Sequence, residues 1–177
     1  FLFPKKDFTT VGVVLHGKYY KQESAFGNNL YEGEQKHFFG NLIWNDMFGT
    51  TAHTFKMGTS FMVDDYNESY NDSLFSRTEF VPGIFYEHTY KYHNTFSLVV
   101  GGRADYHNLA GLLPTGRVHL RKQLGEEWVF RASAGNSYRM PNAISENISG
   151  LISNRELRVL EALEIEKSFN YGGSLSW

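Results

Sequence analysis

Apolar and polar residues alternate with a period of two along most of this chain, and that pattern restricts the fold more than any other feature. Successive side chains of a strand point to opposite faces, so such alternation marks a sheet with one apolar and one polar face. The first run covers residues 11–20, where Val11, Val13, Leu15 and Tyr19 alternate with Gly12, Val14, His16 and Lys18. A second, over 35–48, puts Phe38, Leu42, Trp44 and Phe48 on one face, and a third, over 53–63, does so with Phe55, Met57, Phe61 and Val63. A fourth spans 79–88. The fifth is the clearest: Phe96, Leu98, Val100 and Tyr106 oppose Ser97, Gly101, Arg103 and Asp105. The sixth sets Val118 and Leu120 against Arg117, His119 and Arg121, and the seventh sets Trp128, Phe130, Ala132 and Ala134 against Arg131, Ser133 and Ser137. In the eighth, Phe169, Tyr171, Gly173, Leu175 and Trp177 oppose Ser168, Asn170, Ser174 and Ser176.

The connections between these eight expected strands alternate in length. Short ones fall at 45–51, 91–94 and 123–127, and long polar ones at 21–34, 64–77 and 138–161, with an intermediate one at 107–112. Transmembrane barrels show this asymmetry, with tight periplasmic turns and longer extracellular loops. A soluble sandwich also alternates along its strands, but nothing obliges its connections to alternate in length. The sequence therefore predicts an all-β fold, an antiparallel up-and-down transmembrane barrel segment of about eight strands. A complete eight-stranded barrel with a structural or adhesion role is one alternative, because eight strands can close. A soluble, carbohydrate-binding β-sandwich is the other.

Aromatic residues make up 16% of the 177 residues, against 4 Pro, a balance that favours strands. Several lie near strand ends on the apolar face, as Phe96 and Tyr106 or Phe169 and Trp177 do. Rings at headgroup level produce this distribution. The mean hydropathy of -0.40 fits a chain without helical spans and is uninformative about barrels, whose strands are polar at every second position. Pro82 falls inside the fourth strand, where a missing N–H calls for a bulge next to Gly83.

Several classes are excluded. A net charge of -2 gives no basic stripe for a nucleic acid, and without cysteine there is neither a disulfide nor a thiolate metal site. The seven His have no paired zinc spacing, and Asp64, Asp65 and Asp72 match no EF-hand template, so no metal and no cofactor are expected. No nucleophile elbow, P-loop or dinucleotide fingerprint occurs, so the chain is not expected to be an enzyme. The first ten residues, FLFPKKDFTT, lack the layout of a signal peptide, so an exported protein with this sequence is expected to be a mature chain or an internal piece.

Four stretches carry a more specific signal: EFVPGIFYEHTY (79–90), LVVGGRADYHNLAG (98–111), WVFRASAGNSYRMPNAISEN (128–147) and LEIEKSFNYGGSLSW (163–177). In order and spacing they resemble the C-terminal half of TonB-dependent outer-membrane receptors for siderophores, haem or cobalamin. The third resembles the family's R-x-S-x-G-x-x-x-R-x-P-N strand and loop, and the fourth its E-x-x-x-N-Y-x-x-G strand. The likeness is specific over 79–177 and only compatible over 1–77. It implies that residues 1–177 are part of a 22-stranded barrel in the outer membrane of a Gram-negative bacterium. The N-terminal plug with its TonB box, and further barrel strands, are expected outside this chain. The implied partners are outer-membrane lipid, the receptor's own plug, a TonB-type energy-coupling protein and the nutrient ligand.

Arg103, Arg117 and Arg131 fall on the polar phase of adjacent strands, as do Glu79 and Glu87 if Phe80, Ile84 and Tyr86 face lipid. Arginine facing lipid near the midplane costs roughly 2–4 kcal/mol, which favours the lumen side. There these residues either pair with the plug and guide its movement or form ion pairs within the wall. The segments 20–31, 66–70 and 138–147 are rich in Tyr, Asn and charge. They are expected as ligand-facing loops, with Tyr20, Phe26, Tyr31, Tyr66, Tyr70, His107, Arg139 and Asn142 as candidate contacts or plain solvated residues.

Overall fold

The computed structural model describes residues 8–71, 73–142, 146 and 164–177. Among them are eight strands: β1 (Thr10–Phe26), β2 (Asn29–Met47), β3 (His53–Tyr70), β4 (Ser73–Tyr92), β5 (Phe96–His107), β6 (Gly111–Leu124), β7 (Trp128–Arg139) and β8 (Glu166–Ser176). They form one sheet in sequence order, each strand antiparallel to the next. No α-helix or parallel pair interrupts this up-and-down arrangement among the described residues. Among these residues β1 pairs only with β2 and β8 only with β7, so the sheet is neither a closed eight-stranded barrel nor a two-sheet sandwich.

The register brings the alternation of each strand into phase with its neighbours. Across the sheet, Tyr92, Phe96, Lys122, Phe130 and Leu175 form one rung, and Tyr90, Leu98, Leu120, Ala132 and Gly173 another. Phe96, Leu98, Val100, Trp128, Phe130, Phe169, Tyr171 and Leu175 thus share one face, while Arg103, Arg117 and Arg131 share the opposite one. A one-residue slip in any strand would have inverted this segregation.

Two rows of rings border the apolar face. Towards the turns at 48–52, 93–95 and 125–127, Trp44 meets Phe55 at 5.8 Å, Tyr90 meets Phe96 at 6.0 Å and Trp128 meets Trp177 at 6.5 Å. Towards the other end, Phe61 contacts Phe38 at 6.2 Å and Phe80 at 5.2 Å. Between the rows lie small and aliphatic residues such as Leu42, Ile84, Val100, Ala104, Val118 and Ala134. From Phe96 to Tyr106, ten steps at ~3.3 Å and a tilt of about 45° give ~23 Å of height, the size of a barrel's apolar band.

The expected loops at 21–34 and 64–77 are instead strand. β1 to β4 run for 17–20 residues, well past the roughly 9–11 that cross a bilayer. Only residues 27–28 and 71–72 separate the paired strands. Gly27 opens its two-residue turn with φ 63°, as a type II′ hairpin requires. Above the upper ring row the apolar face ends: Lys36 pairs with Glu34 at 2.7 Å, and Lys21 pairs with Glu23. Water reaches both faces there, so hydrophobic alternation disappears while backbone pairing continues.

No bulge forms at Pro82. The β3–β4 register runs unbroken through the Phe61–Pro82 pair, and β4 begins pairing with β5 only at Gly83. The N–H of Phe80, two residues earlier and directed the same way, donates to Asn108 Oδ1 at 2.9 Å. The nitrogen of Pro82 therefore faces the side where the β5 ladder has stopped. Asn108 replaces the missing strand: its Nδ2 donates to Thr78 O at 2.9 Å and its backbone N–H to Phe80 O at 3.2 Å. Asn136 does the same between β6 and β7, accepting from Gly116 N–H at 2.7 Å and donating to Pro114 O at 3.1 Å.

Candidate functional site

The polar face is the concave one. A hollow of about 540 Å³ spans β2 to β7 and is bounded by Asn41, Lys56, Glu87, Arg103, Arg117 and Ser137, among others. Almost all buried polar side chains of the described strands lie on this face, concentrated towards the long hairpins: Ser60, Asp64, Glu68, Glu79 and His107. Their positions follow from the register, which gathers odd residues of β2, β4 and β5 with even residues of β3.

The register also sets two carboxylates, Asp64 and Glu79, directly opposite each other. Like charges in that relation destabilise a sheet unless they are compensated. On the β2 side, Asp64 Oδ1 is met by His37 Nδ1 and Gln35 Nε2, both at 2.9 Å. On the other side, Glu79 pairs with Arg77 at 2.8 Å and lies 3.4 Å from His107 Nε2. Arg77 also stacks over the Tyr66 ring at 4.9 Å and donates to Pro141 O at 3.0 Å, linking the β3–β4 hairpin to the segment after β7. Higher still, Tyr31 donates to Glu68 at 2.8 Å and packs with Tyr70, Phe26 and Phe75. These groups lie above the upper ring row. Burial, then the Glu68 carboxylate, raises the Tyr31 phenol above its ordinary range; burial, then Asp64, pushes Tyr66 up to about 12. Both phenols therefore remain protonated at neutral pH, Tyr31 donating to Glu68 and Tyr66 accepting from Gln35 Nε2 at 3.1 Å.

Lower on the same face the charges are less balanced. Arg103 is held by Asp105 and Ser60, both at 2.5 Å, and Arg117 by Glu87. Arg131 has a hydroxyl partner, Ser176 at 3.1 Å, and Arg121 a carbonyl, Asn94 O at 2.8 Å. The register sets Arg121 and Arg131 opposite each other. The two line a separate hollow of about 470 Å³ with His119, Ser133 and Ser174, and among the described residues neither guanidinium has a carboxylate partner. Such an arrangement favours an anionic partner from outside these strands.

A sequence model of TonB-dependent receptor-like β-barrels matches residues 5–177. The chain belongs to this family. The fold is similar to that in the crystal structure of the siderophore receptor PirA from Pseudomonas aeruginosa, with a TM-score of 0.56 at 13% identity. That match covers 75% of this chain and 27% of the other, so the chain spans about a quarter of the receptor it resembles. No curated protein sequence matches the chain. Members of this barrel family are outer-membrane transporters rather than enzymes.

In the receptor barrel, all five charged residues expected on the lumen side, Glu79, Glu87, Arg103, Arg117 and Arg131, share the concave face. The eight expected loop contacts distribute differently. Tyr20, Phe26, Tyr31, Tyr66 and Tyr70 lie within β1 to β3, and His107 and Arg139 close β5 and β7, so only Asn142 lies outside a strand. The seven strand residues also point to the concave face. Tyr31, Tyr70 and His107 are buried by neighbouring side chains, so they brace this part of the wall.

Sequence reading passed over Glu68 and His37, and weighed Asp64 only as a metal ligand, because these residues sit where the alternation fades. It also left Arg121 aside, although Arg121 shares the polar phase of Arg117. Asp64 and Asp65, grouped in sequence, project from opposite faces, and no cluster suited to a metal ion occurs among the described residues.

Proposed function

We propose that this chain is part of the barrel wall of an outer-membrane receptor of a Gram-negative bacterium. That receptor takes up a scarce, bulky nutrient: a ferric siderophore, haem or cobalamin. A plug encoded outside this chain closes the lumen, and a TonB-type protein pulls on it to drive passage. The observation that carries this reading is the division of the sheet. One face offers an apolar band between two ring rows, and the other is charged and hollowed, with Arg121 and Arg131 side by side and without a carboxylate partner among the described residues. A wall that surrounds a mobile, charged plug needs this division, whereas a barrel filled by its own side chains would pair its charges internally. The long hairpins rising beyond the band supply the rim on which ligand is first captured. Tyr20, Phe26, Tyr66, Arg139 and Asn142 are the candidate contacts on or below that rim.

Uptake by cells that express the full-length receptor tests the proposal, using a labelled ferric siderophore, haem and cobalamin in parallel. One of the three is expected to bind and accumulate, and dissipating the proton-motive force should abolish accumulation while surface binding persists. Accumulation that is unchanged without the proton-motive force would contradict energised transport.

A further inference from the structure

At the end of the sheet with the short turns, the apolar face carries a charge. Lys122 shares a rung with Phe96 and Tyr92 on one side and with Phe130 and Leu175 on the other, all directed to the apolar face. Its side chain borders a groove of about 480 Å³ that is also bounded by Tyr90, Tyr92, Thr95 and Phe96. Among the described residues no carboxylate lies within ion-pairing distance of its ammonium group. Arg121 and Lys91, its neighbours in sequence and across the turn, point to the concave face instead. Lysine at the midplane of a barrel costs roughly 2–4 kcal/mol, falling to about 0–1 kcal/mol at the interface. Lys122 sits three residues before Gly125, at the level of the lower ring row, which is interfacial depth. It therefore stands where lipid phosphates lie.

We propose that this groove is a binding site for the phosphate headgroup of an anionic glycerophospholipid in the leaflet at the short-turn end. The ammonium of Lys122 receives the phosphate, and the exposed Tyr92 phenol is within the same groove to donate to its oxygens, while the Thr95 hydroxyl donates to Tyr92 O at 3.2 Å and holds the turn. The rings of Tyr90 and Phe96 supply the apolar floor for the glycerol and the first acyl carbons. An anionic lipid is favoured over a zwitterionic one because its phosphate charge is not neutralised within the headgroup, and one lysine near such a surface is worth about a fivefold change in binding. The inference rests on the proposal that the apolar face meets lipid. It is independent of the nutrient and of energy coupling.

Native mass spectrometry of the full-length receptor, titrated with phosphatidylglycerol or with phosphatidylcholine of the same acyl chains, tests it. The unaltered receptor should retain phosphatidylglycerol about fivefold better. Lys122→Gln should remove that preference, and Lys122→Arg should keep it. Lys167→Gln, at the far end of the same face, should leave it intact. Equal retention of the two lipids by the unaltered receptor would overturn the site without touching the membrane reading, and so would a preference that survives in Lys122→Gln. Retention of neither lipid, by a receptor that stays dispersed without detergent, would overturn both.

Discussion

Replacing Gly58 by Ala is expected to destabilise the barrel by about 3 kcal/mol, near the upper end of what overpacking costs. A β-carbon at this position would come 1.9 Å from the carbonyl oxygen of Leu42 and 2.9 Å from the Phe85 ring. The first obstacle is backbone of the neighbouring strand and has no rotamer to give. β2 and β3 would have to separate at the Ile43–Gly58 pair, or β3 would have to bend. Gly102 is the control. It lies on the apolar face with nothing within 4 Å of its β-carbon position, so alanine there should be neutral or slightly stabilising. Urea unfolding of the full-length receptor in detergent, followed by loss of the heat-modifiable folded band, compares the two. Equal midpoints for Gly58→Ala and the parent would show that the close approach of β2 and β3 is absent in the membrane.

The second large effect concerns transport. Changing Arg103, Arg117 and Arg131 together to Gln should lower uptake per folded receptor by about an order of magnitude, roughly 1.4 kcal/mol in the step that moves the plug. Capture of ligand at the surface should be unchanged, because these residues lie below the hairpins. Glutamine keeps hydrogen-bonding capacity and removes the charge. The three arginines are not equivalent. Arg103 is braced by Asp105 and Ser60, and Arg117 by Glu87, whereas among the described residues Arg131 is held by a hydroxyl, that of Ser176. Arg103→Gln alone should therefore lower stability and leave normalised uptake near normal, while Arg131→Gln alone should do the reverse. If the triple variant lost abundance but kept its rate per folded receptor, the arginines would be wall braces and nothing more.

The parts of this fold that could be read from sequence are those exposed to two different solvents. Along β5 to β8 one face is apolar and the other polar, as the proposed wall between lipid and lumen requires, so Leu98, Val100 and Ala132 alternate with Arg103, Arg117 and Arg131, and face and register both follow. The upper halves of β1 to β4 leave the lipid, and there polar residues on both faces read as loops although pairing continues to Phe26 and Tyr70. Pro82 was misleading for a different reason. The cost of its missing N–H depends on where β5 ends and on Asn108, neither of which is local to Pro82. Of the polar face, the arginines on β5 to β7 were legible. The paired burial of Asp64 and Glu79 was not, because it depends on a register 15 residues apart in sequence.

The central claim is that alternate residues of these strands face lipid and water. This chain contains no cysteine, so in a receptor whose remaining part is also freed of cysteine, single cysteines report on each position. The decisive measurement is labelling of the full-length receptor in outer-membrane vesicles, with cysteine placed in turn at Leu98, Val99, Val100, Ala132, Ser133 and Ala134. We predict that a charged, membrane-impermeant maleimide reacts at Val99→Cys and Ser133→Cys once the plug is removed. A lipid-soluble maleimide should react at Leu98→Cys, Val100→Cys, Ala132→Cys and Ala134→Cys. Reaction of the charged reagent at every position, or in the opposite phase, would contradict the account.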